Sequence, residues 1–192
     1  MLSVANTHIY KYFCRYNYYE PSTTLWESWN VPTMQQWLSE SSRGHHFMTG
    51  INTFLRKYVA GLDMPAGAAG WSIVRIRPEA AAPLNDTALE AAVPWAGAVV
   101  DTHRGRVEVS WARVAGGGVR LNCSVPPSAT GEVHFPARAT GPVDTTVSES
   151  GVLVWADGRF VPGPVARGIT AARDDGRFIV ITVLSGQYAF VG

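Results

Sequence analysis

Two periods divide this chain. Up to about Leu62 the apolar residues recur at helical spacing, and beyond Gly70 they alternate with polar ones at a period of two. In the first stretch Asn30 and Pro32 mark a helix start, because Asn caps free amides and Pro is tolerated in the first turn. Met34, Trp37 and Leu38 then share one face at i, i+3 and i+4. The Ser-rich residues 39–44, closed by Gly44, break that helix. A second helix is predicted from about His46, with Phe47, Ile51, Phe54, Leu55, Tyr58 and Leu62 at helical spacing. Arg56 and Lys57 suit its C-terminal end and Gly61 its cap. Two antiparallel helices with a tight connection are the repeating unit of helical barrels and bundles.

Between Gly61 and Gly70 the composition shifts, since Pro65 is followed only by Ala and Gly as far as Gly70. That stretch places a domain boundary, with residues 1–63 on one side and 64–192 on the other. Past it, Val107, Val109 and Trp111 alternate with Arg106, Glu108 and Ser110, and Val119, Leu121, Cys123 and Val125 alternate with Arg120, Asn122 and Ser124. Residues 178–183 form a nearly unbroken β-branched run, as a strand buried on both faces would. Tyr188 and Phe190 close the series. Turn signals at Gly116-Gly117-Gly118, Pro126-Pro127, Asp157-Gly158 and Asp175-Gly176 separate these runs. Many short strands with such punctuation predict an antiparallel β-sandwich. The chain is therefore expected to be α+β, helices first and sandwich second. Trp71, Trp95, Trp111 and Trp155 fall in the strand region, where the sandwich core is their expected place, although carbohydrate modules also use exposed Trp.

Composition narrows the function classes. The 192 residues are 46% hydrophobic and 16% charged, enough apolar material for a core and fewer charges than the usual proportion of about a quarter. A net charge of +1 gives no electrostatic case for nucleic acid or an anionic membrane surface. No apolar run approaches the ~20 residues that cross a bilayer, and residues 1–19 lack the apolar core of a secretory signal. Two cysteines, Cys14 and Cys123, are expected as buried free thiols and do not fix a compartment, so localisation stays open. Asn85 and Asn122 each begin a glycosylation triplet, but Asn122 sits mid-strand and makes a poor acceptor. A metal site at His45-His46 is not expected, because adjacent helical residues diverge by about 100° and no further ligands stand at zinc spacing.

The chemistry-bearing residues lie early. Thr23-Thr24-Leu25-Trp26-Glu27-Ser28-Trp29 sets one carboxylate between two indoles, and His46-Phe47-Met48-Thr49-Gly50 follows. A carboxylate beside aromatic rings suits sugars, whose apolar faces stack on indoles and whose glycosidic bonds are cleaved by paired carboxylates. These residues resemble the closing motif block of the α-L-rhamnosidases of glycoside hydrolase family 78, which reads Thr-Thr-x-Trp-Glu-x-Trp and then Asn-His-x-Met-x-Gly. The resemblance continues through Tyr58-Val59-Ala60-Gly61-Leu62, Ile73-Val74-Arg75-Ile76-Arg77-Pro78, Gly105-Arg106-Val107-Glu108-Val109-Ser110-Trp111 and Val125-Pro126-Pro127-Ser128-Ala129-Thr130. It covers residues 21–136 in order and runs more loosely to Gly192.

The resemblance implies the closing helices of an (α/α)6 catalytic barrel followed by a C-terminal β-sandwich. It implies inverting hydrolysis of terminal α-L-rhamnose, rhamnose-containing glycosides as partners and no cofactor. Glu27 matches the family's general base and His46 its histidine at the −1 subsite, while His45 departs from the usual Asn. An inverting pair stands roughly 6.5–9.5 Å apart with a water between. Glu27 needs no tuning for its part, since an ordinary Glu titrates at about 4.3. A neutral His46 imidazole both donates to and accepts from a hydroxyl. Trp26 and Trp29 are expected in the core, and Glu20 on the surface. The family's general acid lies in an upstream block that nothing in residues 1–19 resembles. The chain alone is therefore expected to be inactive, and the helical face of Phe47, Ile51, Phe54 and Tyr58 to favour self-association. The alternative expectation is a non-catalytic remnant, or a sandwich module that at most binds carbohydrate.

Overall fold

Alternating Val, Ile, Leu and Phe give a strand one face that must be covered, and residues 55–192 cover it by setting two sheets against each other. The computed structural model describes residues 50–83, 93–138, 141–162 and 168–192. Two units divide the chain, Met1–Phe54 and Leu55–Gly192. In the first, the described residues form helix α1 (Gly50–Phe54). The expected helix of Met34, Trp37 and Leu38 lies outside the described residues, as do Glu27 and His46.

The second unit begins with a π-helical turn, Leu55–Ala60. Gly61 ends it with φ +87°, a left-handed conformation that a Cβ would strain. Its carbonyl accepts the Arg77 amide at 2.6 Å. Gly61 was expected as the cap, while Leu62 was counted in the helical spacing. Leu62 instead starts β1 (Leu62–Asp63) and pairs with Ile76, because the glycine reverses the chain before another helical residue can form.

The remaining strands are β2 (Ile73–Ile76), β3 (Trp95–Thr102), β4 (Gly105–Arg113), β5 (Val119–Val125), β6 (Thr130–Pro136), β7 (Val147–Glu149), β8 (Val152–Ala156), β9 (Arg159–Phe160), β10 (Ile169–Asp174), β11 (Phe178–Val183) and β12 (Gly186–Val191). One sheet runs β1-β2-β6-β11-β10 and the other β3-β4-β5-β12-β7-β8-β9. The β2–β6 pair is parallel, a departure from the wholly antiparallel expectation, and the other strand pairs are antiparallel.

Register makes the core legible. Trp111, Leu121 and Phe190 form one buried row across β4, β5 and β12, and Val109, Cys123 and Tyr188 form the next. The central β11 buries Phe178, Ile179, Val180, Ile181 and Val183, as its unbroken apolar run requires. Cys123 is a buried free thiol. Burial, and then the nearby Glu149, push it up to about 12, so it stays protonated and unreactive at neutral pH. Trp111 and Trp155 are core residues, each 2% exposed, and their indole N–H groups donate to Val59 O and Pro142 O at 2.9 Å. Trp71 is half-buried. Trp95 corrects the expectation outright: it is 70% exposed, because the period of β3 turns it away from the core.

The sheets meet closely at Gly131 of β6, where a Cβ would lie 2.6 Å from a Val183 methyl and 2.8 Å from a Val125 methyl. Gly131→Ala is therefore expected to overpack the core and cost about 1–3 kcal/mol, seen as a lower melting temperature. An unchanged melting temperature would show that Val125 and Val183 give way freely.

Candidate functional site

Glu27 and His46, expected to act on substrate, lie outside the described residues, and so do Trp26, Trp29 and His45. The described residues bring other polar groups together, at positions the sequence did not single out.

The densest group surrounds Phe178. Val74 and Ile76 of β2 enter the core, which leaves Arg75 and the following Arg77 less buried. Arg77 Nε donates to Glu79 Oε1 at 2.7 Å and its Nη1 to Asp175 Oδ2 at 3.4 Å. Arg177 Nη1 reaches the other Glu79 oxygen at 2.6 Å. Both guanidinium groups lie over the Phe178 ring, at 4.6 and 5.4 Å from its centroid. His134 of β6 meets the same ring edge-on at 6.0 Å.

His134 is almost wholly enclosed. Its Nδ1 stands 3.5 Å from Arg77 Nη1, which can only donate, so Nδ1 accepts and the neutral ring carries its proton on Nε2. Nε2 has no hydrogen-bond partner among the described residues, and Glu132 Oε2 stands 4.0 Å away. Burial and then Arg77 push the His134 pKa down to about 4, against the pull of Asp175. For Asp175, burial alone would raise the pKa. The amides of Phe178 and Arg177 and the charge of Arg77 outweigh it and hold the carboxyl below its usual range.

Two carboxylates beside a histidine suggest acid-base chemistry, but the contacts do not leave them available for it. Both Glu79 oxygens are held by arginine, and Asp175 is tied to Arg77 and to the amides of its own turn. The cluster works as a clamp between residues 77–79, β6 and the β10–β11 turn.

A second group centres on Asp63. Arg75 Nη2 lies 3.0 Å away, Lys57 Nζ 3.2 Å and Arg56 Nη1 3.9 Å, while Arg56 also donates to Leu62 O at 2.8 Å. Burial would raise this carboxyl too, but hydrogen bonds from the Met64 amide, Lys57 and Arg75 lower it. These contacts pin the π-helical turn to β1 and β2. Among the described residues no group of three or more His, Cys, Asp or Glu side chains is placed to hold a metal ion.

Arg77 and Arg177 are a hundred positions apart along the chain, and His134 lies between them. The only local signal for the clamp was the alternation of Ile73-Val74-Arg75-Ile76-Arg77, which shows an arginine-bearing face but not its partners.

Residues 61–148 match the family described as the bacterial alpha-L-rhamnosidase C-terminal domain. An alpha-L-rhamnosidase of Streptomyces avermitilis is 32% identical over 119 residues, covering 60% of this chain and 10% of that protein. The structure of alpha-L-rhamnosidase from Dictyoglumus thermophilum superposes with a TM-score of 0.64 at 25% identity, covering 88% of this chain and 16% of the other. The Streptomyces avermitilis enzyme complexed with L-rhamnose superposes with a TM-score of 0.60 at 28% identity, covering 89% and 14%. The chain thus spans a small part of the length of each of these relatives.

Proposed function

We propose, from the match of residues 61–148 to the family described as the bacterial alpha-L-rhamnosidase C-terminal domain, that the chain is the C-terminal portion of an α-L-rhamnosidase-like glycoside hydrolase. In this reading residues 1–63 close the (α/α)6 catalytic barrel and residues 64–192 form the domain behind it. Glu27 takes the proton from a water that attacks the anomeric carbon of a terminal α-L-rhamnose with inversion. His46 holds a hydroxyl of the same sugar. The general acid comes from an upstream block that these 192 residues do not contain.

One observation carries the reading. The C-terminal family match lies on the same chain as Thr23-Thr24-Leu25-Trp26-Glu27-Ser28-Trp29, in the order the resemblance requires. The likeness to two rhamnosidase structures over most of the chain supports it. The clamp and the Asp63 group take structural roles in it, fastening the sheets and the turn that leads into them.

The 192-residue chain by itself should release no measurable product from an aryl α-L-rhamnoside. A missing acid alone removes about 10²–10⁴-fold of general acid catalysis, and most of the sugar pocket is missing with it. Robust turnover by the purified chain, tracking with the protein through purification, would overturn the reading.

A further inference from the structure

We propose that the outward face of β3, β4, β5 and β12 binds a neutral saccharide, stacked on Trp95 and hydrogen-bonded by Ser110, Asn122 and Arg120. This site uses neither Glu27 nor His46 and stands whether or not the chain belongs to a hydrolase.

Register assembles it. Trp95, Gly97 and Val99 of β3 stand opposite Ala112, Ser110 and Glu108 of β4. Those three face Arg120, Asn122 and Ser124 of β5, and Asn122 and Ser124 in turn face Ala189 and Gln187 of β12. The alternate positions of β4 and β5 fill the core, so this set faces out. Its middle row, Gly97, Ser110, Asn122 and Ala189, is short, and the sheet is hollowed there. A depression of about 300 Å³ lies beside Trp95 and Arg120, and a wider one of about 790 Å³ runs on toward Gln187. They share Gly97, Ser110 and Asn122. A Cβ on Gly97 would stand 3.1 Å from the Val109 carbonyl oxygen, so the bare glycine keeps the floor of the hollow low.

The chemistry of the lining selects the ligand. An indole 70% exposed at the rim of a hollow is an apolar plate held in water. Its backbone is pinned at the strand end, since the preceding Pro94 carbonyl accepts the Arg113 amide at 2.9 Å. Around it stand hydroxyls and amides that both donate and accept. Ser124 Oγ already accepts the Glu108 amide at 3.0 Å, which leaves its proton to donate. Glu108 is paired with Arg106, so among the described residues Arg120 is the one unneutralised charge in the lining. A single cation is too few for a nucleic acid backbone. Among the described outward residues of these strands, Trp95, Val99 and Val191 are the exposed large apolar ones, too few for a dry protein interface. A pyranose matches on both counts, with a C–H face for the indole and a rim of hydroxyls for the polar groups. The smaller hollow falls at the lower end of the range of about 300–1,000 Å³ for ligand pockets.

The test is titration of the ¹⁵N-labelled 192-residue chain, following the Trp95 indole N–H and the Asn122 side-chain amide. The titrants are methyl α-L-rhamnoside, methyl α-D-glucoside, methyl β-D-galactoside and neutral oligosaccharides of each sugar. At least one should shift both signals saturably. Trp95→Ala should weaken that binding about tenfold or more, and Trp95→Phe should keep part of it because a ring remains. Since Trp95 is exposed, neither variant should lower the melting temperature. Trp95 and Asn122 signals that no saccharide moves, or a Trp95→Ala chain that binds as tightly as the parent, would overturn the proposal. Turnover is not read, so failure here leaves the hydrolase reading untouched, and the reverse holds too.

Discussion

Glu27→Gln is expected to lower turnover by about 10²–10⁴-fold, with substrate affinity nearly kept, once the chain stands in a complete catalytic domain. A suitable context is the Streptomyces avermitilis rhamnosidase with its matching C-terminal segment replaced by these 192 residues. Gln keeps the volume and one carbonyl acceptor of Glu but cannot take a proton from water. Azide attacks without being deprotonated, so it should restore part of the lost rate and give the β-configured glycosyl azide from the face opposite the leaving group. A structural Glu27 predicts a different set of results. The melting temperature and expression would fall, the rate loss would be modest, and azide would repair none of it. Kinetics with and without azide, beside a melting curve, separate the two.

The second large effect concerns acid stability. His134 has a folded pKa of about 4 against 6.5 for the free side chain, because burial and Arg77 oppose its charge. The unfolded chain therefore binds the extra proton first as the pH falls. The neutral histidine contributes its full share of stability above pH 6.5, and that share is lost between 6.5 and about 4. The shift corresponds to about 3 kcal/mol. Asp63 and Asp175 are shifted down, so their contributions are present above the unfolded carboxylate pKa and disappear only at lower pH. Urea unfolding between pH 7 and 4 should show a steep loss in the parent chain and a much flatter one in His134→Gln. Equal slopes would mean that the buried imidazole does not govern acid stability.

Strand identity was legible wherever a period of two joined a clear polarity. Val107-Glu108-Val109-Ser110-Trp111 leaves one possible inward face, and β4 has it. Residues 178–183 were legible for the opposite reason, since a run with no polar partner must be buried on both sides. β3 reads Trp95-Ala96-Gly97-Ala98-Val99-Val100, with small or apolar residues in both phases, so the period predicts alternation without saying which side meets the core. That is why Trp95 was expected inside, and why the hollow beside it carried no local signal. Leu62 failed for another reason. It is spaced for the helix, but Gly61 decides the backbone first. The clamp at Phe178 depends on strand order, and the parallel β2–β6 pair that helps to build it has no mark in either strand's sequence.

Glu27 and His46 are proposed on a different ground. Neither residue type nor spacing distinguishes a catalytic Glu from a surface acid beside two tryptophans. The ordered motifs around them, shared with a family, raised these two residues above the other acids and histidines of the chain.

The most direct measurement is rhamnose release from an aryl α-L-rhamnoside by the chimeric enzyme, with the anomeric configuration of the first-formed sugar read by NMR. The account predicts hydrolysis with inversion to β-L-rhamnose, dependent on Glu27. A chimera that melts cooperatively like its parent and binds the glycoside, yet releases no rhamnose, would contradict it.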